Sequence, residues 1–237
     1  MELASNAWPH GATGSRRVHF LHIGKTGGTA IKHALAKAPD PPGRELILHG
    51  HDISLDEIDP AESVIFSLRE PLSRFVSAFY SRLRCGQPRY NFPWSDLEKR
   101  VFTAFPTPEA LALALADSSA VHHTLAQEAL EGIRHFRRLN RWLIGEDELL
   151  ARRSQILFVA FQETLAHDFE ILRRLLDLPS SVVLPTGEVE AHRSPPGLSK
   201  QISAPGLEAL SRWYSEDTRL IEVCRQLMKS RSYQVIP

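Results

Sequence analysis

The stretch that most constrains this chain is Val18 to Leu35, VHFLHIGKTGGTAIKHAL, where an apolar run breaks at Gly24 and resumes as a helix-forming segment. Val18, Phe20, Leu21 and Ile23 suit a buried strand, and Thr29 to Lys37 is rich in good helix formers. Between them, Gly24, Gly27 and Gly28 let backbone N–H groups approach a ligand closely. Amides at a helix N-terminus lack intrahelical partners and carry the positive end of the helix dipole, so an anion is favoured there. Lys25 adds a full charge. The segment reads as strand, anion cradle and helix, with a plain strand-to-helix turn as the simpler alternative. A triphosphate P-loop, G-x-x-x-x-G-K-[ST], would need its first glycine five residues before Gly24, and that position is His19. A standard nucleoside-triphosphate site is therefore disfavoured.

A chain of 237 residues can bury a proper core, and we expect a flexible arm over residues 1–17 followed by one domain over 18–237. Lys and Arg number 28, as do Asp and Glu, so nothing marks the whole chain as a nucleic-acid binder. The first fourteen residues lack the basic and apolar regions of a signal peptide, and no stretch approaches the length of a membrane span. A cytoplasmic protein with no integral membrane segment is expected. Cys85 and Cys224 have no paired spacing of the zinc or disulfide kind and are expected to be free, packed thiols.

Farther along, PDPPG (39–43) stops the first helix, and Leu46 to His49 forms a second strand ending at HGHD. Ser63 to Leu68 is a third strand of buried character, followed at once by Arg69-Glu70-Pro71. Pro71 suits a first helical turn. The helix it opens carries an apolar stripe of Leu72, Phe75, Val76, Phe79, Tyr80 and Leu83. Ser73, Arg74, Ser77 and Arg84 lie on its other face, and Arg74, Arg82, Arg84 and Arg89 read as a solvated basic surface. Helices are expected over 94–104, 106–116 and, as one or two pieces, 121–144. Gln155 to Ala160 is a fourth strand, Glu163 to Leu178 a helix, and Pro205 to Lys229 one long amphipathic helix. Strands alternating with helices predict a three-layer α/β fold on a parallel sheet, with ligands at the carboxyl ends of the strands.

The pieces KTGGT (25–29) and REPLSRFVSAFY (69–80) together resemble sulfotransferases that use 3′-phosphoadenosine 5′-phosphosulfate, PAPS. In that family a lysine and Gly/Thr cradle holds the 5′-phosphosulfate, and an arginine followed eight positions later by a serine holds the 3′-phosphate. The resemblance implies cofactor-binding roles for Lys25, Thr26, Gly27, Gly28, Thr29, Ala30, Arg69 and Ser77, on a P-loop-like sulfotransferase fold with many helices. LHGHD (48–52) resembles the HGH element of uronyl 2-O-sulfotransferases of glycosaminoglycans, which implies His51 as catalytic base with His49 assisting, the two not being separable from sequence. The likeness runs from about Val18 to Tyr80, and more faintly through QILFVAFQETL and the Trp213-Tyr214 helix. Gly24 stands where many relatives have proline. The glycine-rich C-terminal nucleotide loop of cytosolic small-molecule sulfotransferases is missing, and Arg193 and Ser194 are assigned that role. With the Golgi enzymes' membrane anchor also absent, the resemblance implies a short, bacterial-type form.

These residues match the two needs of sulfuryl transfer from PAPS to a hydroxyl: a base for the acceptor proton, and positive charge for the departing 3′-phosphoadenosine 5′-phosphate (PAP). Histidine titrates near neutrality, and Lys25 would sit at the leaving oxygen. The expected acceptor is a carbohydrate hydroxyl, and no metal is expected. Asp52 is a weaker base unless its pKa is raised. Two alternatives stay open: a metal-dependent P-loop kinase for a small molecule, which would want an acidic residue at a strand end, and a non-catalytic nucleotide-binding module.

Overall fold

Runs that are apolar on both faces become the strands of a parallel sheet. In the computed structural model, which describes residues 16–119, 121–187 and 197–231, four strands form: β1 (Arg17–Leu21), β2 (Glu45–Leu48), β3 (Ser63–Leu68) and β4 (Ile156–Phe161). All are parallel, in the order β2-β1-β3-β4. Every residue of β3 is buried, as a central strand requires, whereas β2 at the edge is only half-buried. The helices are α1 (Gly28–Leu35), α2 (Pro71–Leu83), α3 (Asp96–Ala104), α4 (Pro108–Ala116), α5 (His123–Gly132), α6 (Asn140–Leu143), α7 (Glu146–Ala151), α8 (Leu165–Leu175), α9 (Ala204–Trp213) and α10 (Ser215–Ser230).

Alternate residues of each strand feed opposite faces. On one face Val18, Phe20 and Ile65 pack with Ile31 and Leu35 of α1 and Phe169 and Leu172 of α8. On the other, Leu21, Val64 and Phe66 pack with Trp142 of α6, Leu149 of α7 and Leu220 and Ile221 of α10. These are the three layers expected from the alternation. A third core belongs to the helices alone: Phe75 and Phe79 of α2 meet Phe102, Leu111, Phe136 and Leu210. Phe79 and Phe102 contact edge to face, with centroids 5.3 Å apart, an arrangement the ring quadrupole favours.

From β1 the chain crosses through α1 to β2, then returns past β1 to form β3. The direction of winding reverses between β1 and β3, and an open parallel sheet has its ligand crevice at the carboxyl ends of such a pair. The Lys25 loop follows β1 and Arg69 follows β3, so both flank this crevice.

Two expectations need correction. The long helix over Pro205 to Lys229 is two helices, broken at Tyr214, whose fully buried ring sends its hydroxyl to the Phe136 carbonyl at 2.7 Å. The basic face of α2 is not solvated at Arg74 and Arg82, which are 1% and 6% exposed. Arg82 grips Glu98 through two nitrogens, and Arg74 lies among Gly24, Arg137 and Asp217. The short helix α7 was not foreseen. Cys85 and Cys224 are free, the latter buried. No helix among the described residues is long and apolar enough to cross a membrane.

Candidate functional site

The loop between β1 and α1 is held from beneath. Thr26 donates its hydroxyl to the Ile23 carbonyl at 2.9 Å and accepts from Ser67 of β3 at 2.9 Å. Arg74 Nε donates to the Gly24 carbonyl at 3.0 Å. These ties hold Lys25 at φ 68°, a left-handed conformation that costs a side-chain-bearing residue roughly 1–2 kcal/mol. Gly27, at φ 89°, then starts α1. No side chain caps that helix, its first turn holds no acidic residue, and the Gly28 and Thr29 amides reach no backbone acceptor among the described residues. Free amides and a lysine therefore meet at one point, as an anion requires.

Lys25, Gly27, Gly28, Thr29 and Ala30 line a cleft of 1360 Å³, shared with Arg69, Ser77 and His51. Thr26 does not line it: its side chain is fully buried and bonded to Ile23 and Ser67. Arg69 spends Nε on Ser73 Oγ at 2.7 Å, and neither its terminal nitrogens nor the Ser77 hydroxyl bonds any described protein group. The eight-residue interval places arginine and serine on one wall because α2 starts immediately after β3 and runs along the cleft. Arg193 and Ser194 lie outside the described residues.

The two candidate histidines part company. His51 faces the cleft, and its Nδ1 lies 2.9 Å from the His22 carbonyl. A carbonyl only accepts, so Nδ1 carries the proton and Nε2 keeps its lone pair. Trp142 Nε1 donates to the His51 carbonyl at 2.7 Å, and Arg134 pairs with Asp52, which fixes the segment on both sides. Burial pushes the His51 pKa below 6.5, partly opposed by the bond to His22. The ring is therefore neutral at pH 7. The His22 ring packs on it, centroids 3.9 Å apart, and burial drives that histidine down to about 3. His49 is not in the cleft wall. Its Nε2 meets His19 Nδ1 at 2.7 Å, and His19 Nε2 meets Glu62 at 2.7 Å, a chain that crosses from the end of β2 through β1 to the start of β3.

Burial, then the guanidinium groups of Arg84 and Arg69, push the Lys25 ammonium down to about 7. The Arg134 pairing holds Asp52 below its ordinary 3.8, which makes it a poor base. Among the described lining residues the only carboxylate is Glu98, already committed to Arg82, while Lys25, Arg69, Arg134 and Lys200 supply positive charge. The cleft therefore suits an anion, and its volume exceeds the roughly 300–1,000 Å³ of a single-ligand pocket.

Among the lining residues that escaped the sequence reading are Arg134 and His135. They lie in the helical middle of the chain, where no motif marks them.

No protein-family model matches the chain, and no curated protein is similar to it at a significant level.

Among the described residues, no group of three or more His, Cys, Asp or Glu side chains is arranged to hold a metal ion. The lining instead offers helix amides, cationic side chains including Lys25 and Arg69, and the Ser77 hydroxyl, donors suited to an anion.

Proposed function

We propose that the protein is a PAPS-dependent sulfotransferase acting on a hydroxyl, with a carbohydrate as the expected acceptor class. The observation that carries this reading is the joint presence, in one cation-lined cleft at the β1/β3 switch point, of the Lys25 cradle and a histidine whose Nε2 is free to take a proton.

PAPS would supply the sulfuryl group and leave as PAP. The free amides at the start of α1 and the Lys25 ammonium would hold the phosphosulfate end, and Lys25 would stabilise charge on the leaving oxygen. Arg69 and Ser77, on the wall made by α2, would hold the 3′-phosphate through charge-assisted hydrogen bonds. His51 Nε2 would take the acceptor proton while Nδ1–H stays on the His22 carbonyl, which fixes the ring's orientation and disperses the charge it gains. The acceptor would enter beside His51 and Arg134, which both line the cleft. Exposed Tyr90 and Phe92, stacked with centroids 5.4 Å apart and also lining the cleft, offer a flat apolar surface for a sugar face.

The kinase alternative is weakened by the residue that follows β3, Arg69, where a Mg²⁺ site would want a carboxylate. A screen of hydroxyl acceptors with labelled PAPS, starting with uronic-acid and amino-sugar glycans, tests the reading. In His51→Ala, PAP binding should persist while transfer falls by about 10²- to 10⁴-fold. Transfer near the wild-type rate in that variant removes His51 from the role of base, and PAP binding with no transfer to any acceptor supports the non-catalytic module.

A further inference from the structure

His135 has no part in the scheme above, yet three ties hold it at the place where that reaction would occur. It sits in the turn Arg134–Phe136 that follows α5. Arg134 pairs with Asp52, the neighbour of His51. The fully buried Phe136 accepts from the Tyr214 hydroxyl at 2.7 Å through its carbonyl. The Arg137 carbonyl accepts from an Arg74 terminal nitrogen at 2.6 Å, and the Nε of that same guanidinium bonds Gly24 in the Lys25 loop. One buried arginine thus fixes the turn against the loop, and a methyl group built on Gly24 would lie 4.0 Å from His135 Cδ2. His135 lines the same cleft as Lys25 and His51, and after burial the Lys25 ammonium further disfavours a charge on its ring. Neither ring nitrogen bonds a protein group among the described residues. Burial keeps the ring neutral, so it presents one N–H and no charge.

We propose that His135 is a second catalytic histidine, donating its N–H to an oxygen of the sulfuryl group in transit. The role rests on the sulfotransferase reading. As the bond from acceptor oxygen to sulfur forms, the bond from sulfur to the phosphate oxygen breaks. The acceptor proton goes to His51 Nε2, and the electron pair of the broken bond stays on the phosphate oxygen beside Lys25. His135 keeps its proton throughout. Lys25 and His51 serve the two ends of the transfer, and the oxygens carried on sulfur between them need a fixed donor of their own; a neutral, preorganised N–H in a secluded site is such a donor.

The test uses His135→Ala and His135→Gln, the latter keeping an amide N–H. Without acceptor, the Kd for PAPS should rise about tenfold in His135→Ala, the value of one hydrogen bond to a charged group. The Kd for PAP, which lacks the sulfuryl oxygens, should stay within about twofold. The transfer kcat should fall about 10²-fold, with partial recovery in His135→Gln. In the wild-type protein, the His135 ring N–H resonance, assigned by its loss in His135→Gln, should move on adding PAPS and stay in place on adding PAP. That measurement stands even if His135→Ala fails to fold. An unchanged ratio of PAPS to PAP affinity overturns the role, and so do equal losses of both affinities or equal shifts with both nucleotides. A wild-type protein that binds neither nucleotide overturns the sulfotransferase reading itself.

Discussion

At the scale of single residues, Lys25 sets the pH behaviour of the proposed anion site. Its ammonium is pushed down to about 7, so above that pH the free protein holds it mostly neutral. A phosphate group beside it favours the charged form and raises the pKa again. Binding of PAP at pH 8 should therefore take up about one proton, and affinity should fall as pH rises above 7. Calorimetry in two buffers of different ionisation enthalpy measures this uptake; it should vanish in Lys25→Met, and zero uptake in the wild type would contradict the assignment. His51 predicts the opposite side of the profile. With its pKa lowered from 6.5 in the free protein, the acid limb of the kcat/KM profile for PAPS should have its midpoint below 6.5. His49, turned toward His19 and Glu62, should matter far less: His49→Asn is expected to slow transfer by less than about tenfold, against 10²- to 10⁴-fold for His51→Ala. HGHD alone could not separate the two, because residues two apart in a loop need not share a face and the partner of His49 comes from β1.

At the scale of elements, the organising contact is Arg74 of α2 against Asp217 of α10, 3.4 Å apart and both buried. Asp217 also accepts from the Leu139 amide at 2.8 Å, so the pair joins α2, α6, α10 and the Lys25 loop. Removing one member of a buried ion pair leaves an uncompensated charge, and Arg74→Met should destabilise the fold by about 3–5 kcal/mol in urea unfolding. A loss under 1 kcal/mol would mean that the pair is not the tie described. Burial pushes the Asp217 carboxyl up to about 6. Because the unfolded group titrates near 3.8, this group's contribution to stability is full below 3.8 and is lost as pH rises through 6. None of this was legible in sequence. Periodicity reveals that Ser73, Arg74 and Ser77 leave the apolar stripe of α2, but not that another helix covers part of that polar face. The break at Tyr214 was hidden for a related reason: the amphipathic pattern continues across it, and what ends α9 is a hydrogen bond to Phe136, 78 residues earlier.

At the scale of the whole molecule, the sheet and the two strand-end motifs were readable because each is local. An apolar run, a glycine turn and a helix-forming segment lie within Val18 to Leu35, and Arg69 and Ser77 lie within one strand end and its helix. The sheet order, and hence the meeting of the two motifs across β1 and β3, follows from the return of the chain past β1. His135 and Arg134 reach the cleft from a separate helical core, whose placement depends on long-range contacts such as Tyr214 with Phe136 and carries no sequence signature. Under the proposed function, this crevice holds a nucleotide with two anionic ends and does so without a metal ion. The most direct measurement is calorimetric titration of the protein with PAP and with ATP, each in the presence and absence of Mg²⁺. PAP should bind more tightly than ATP, and Mg²⁺ should leave that binding unchanged; ATP binding as tight as that of PAP, or tighter, and dependent on Mg²⁺ would contradict the account.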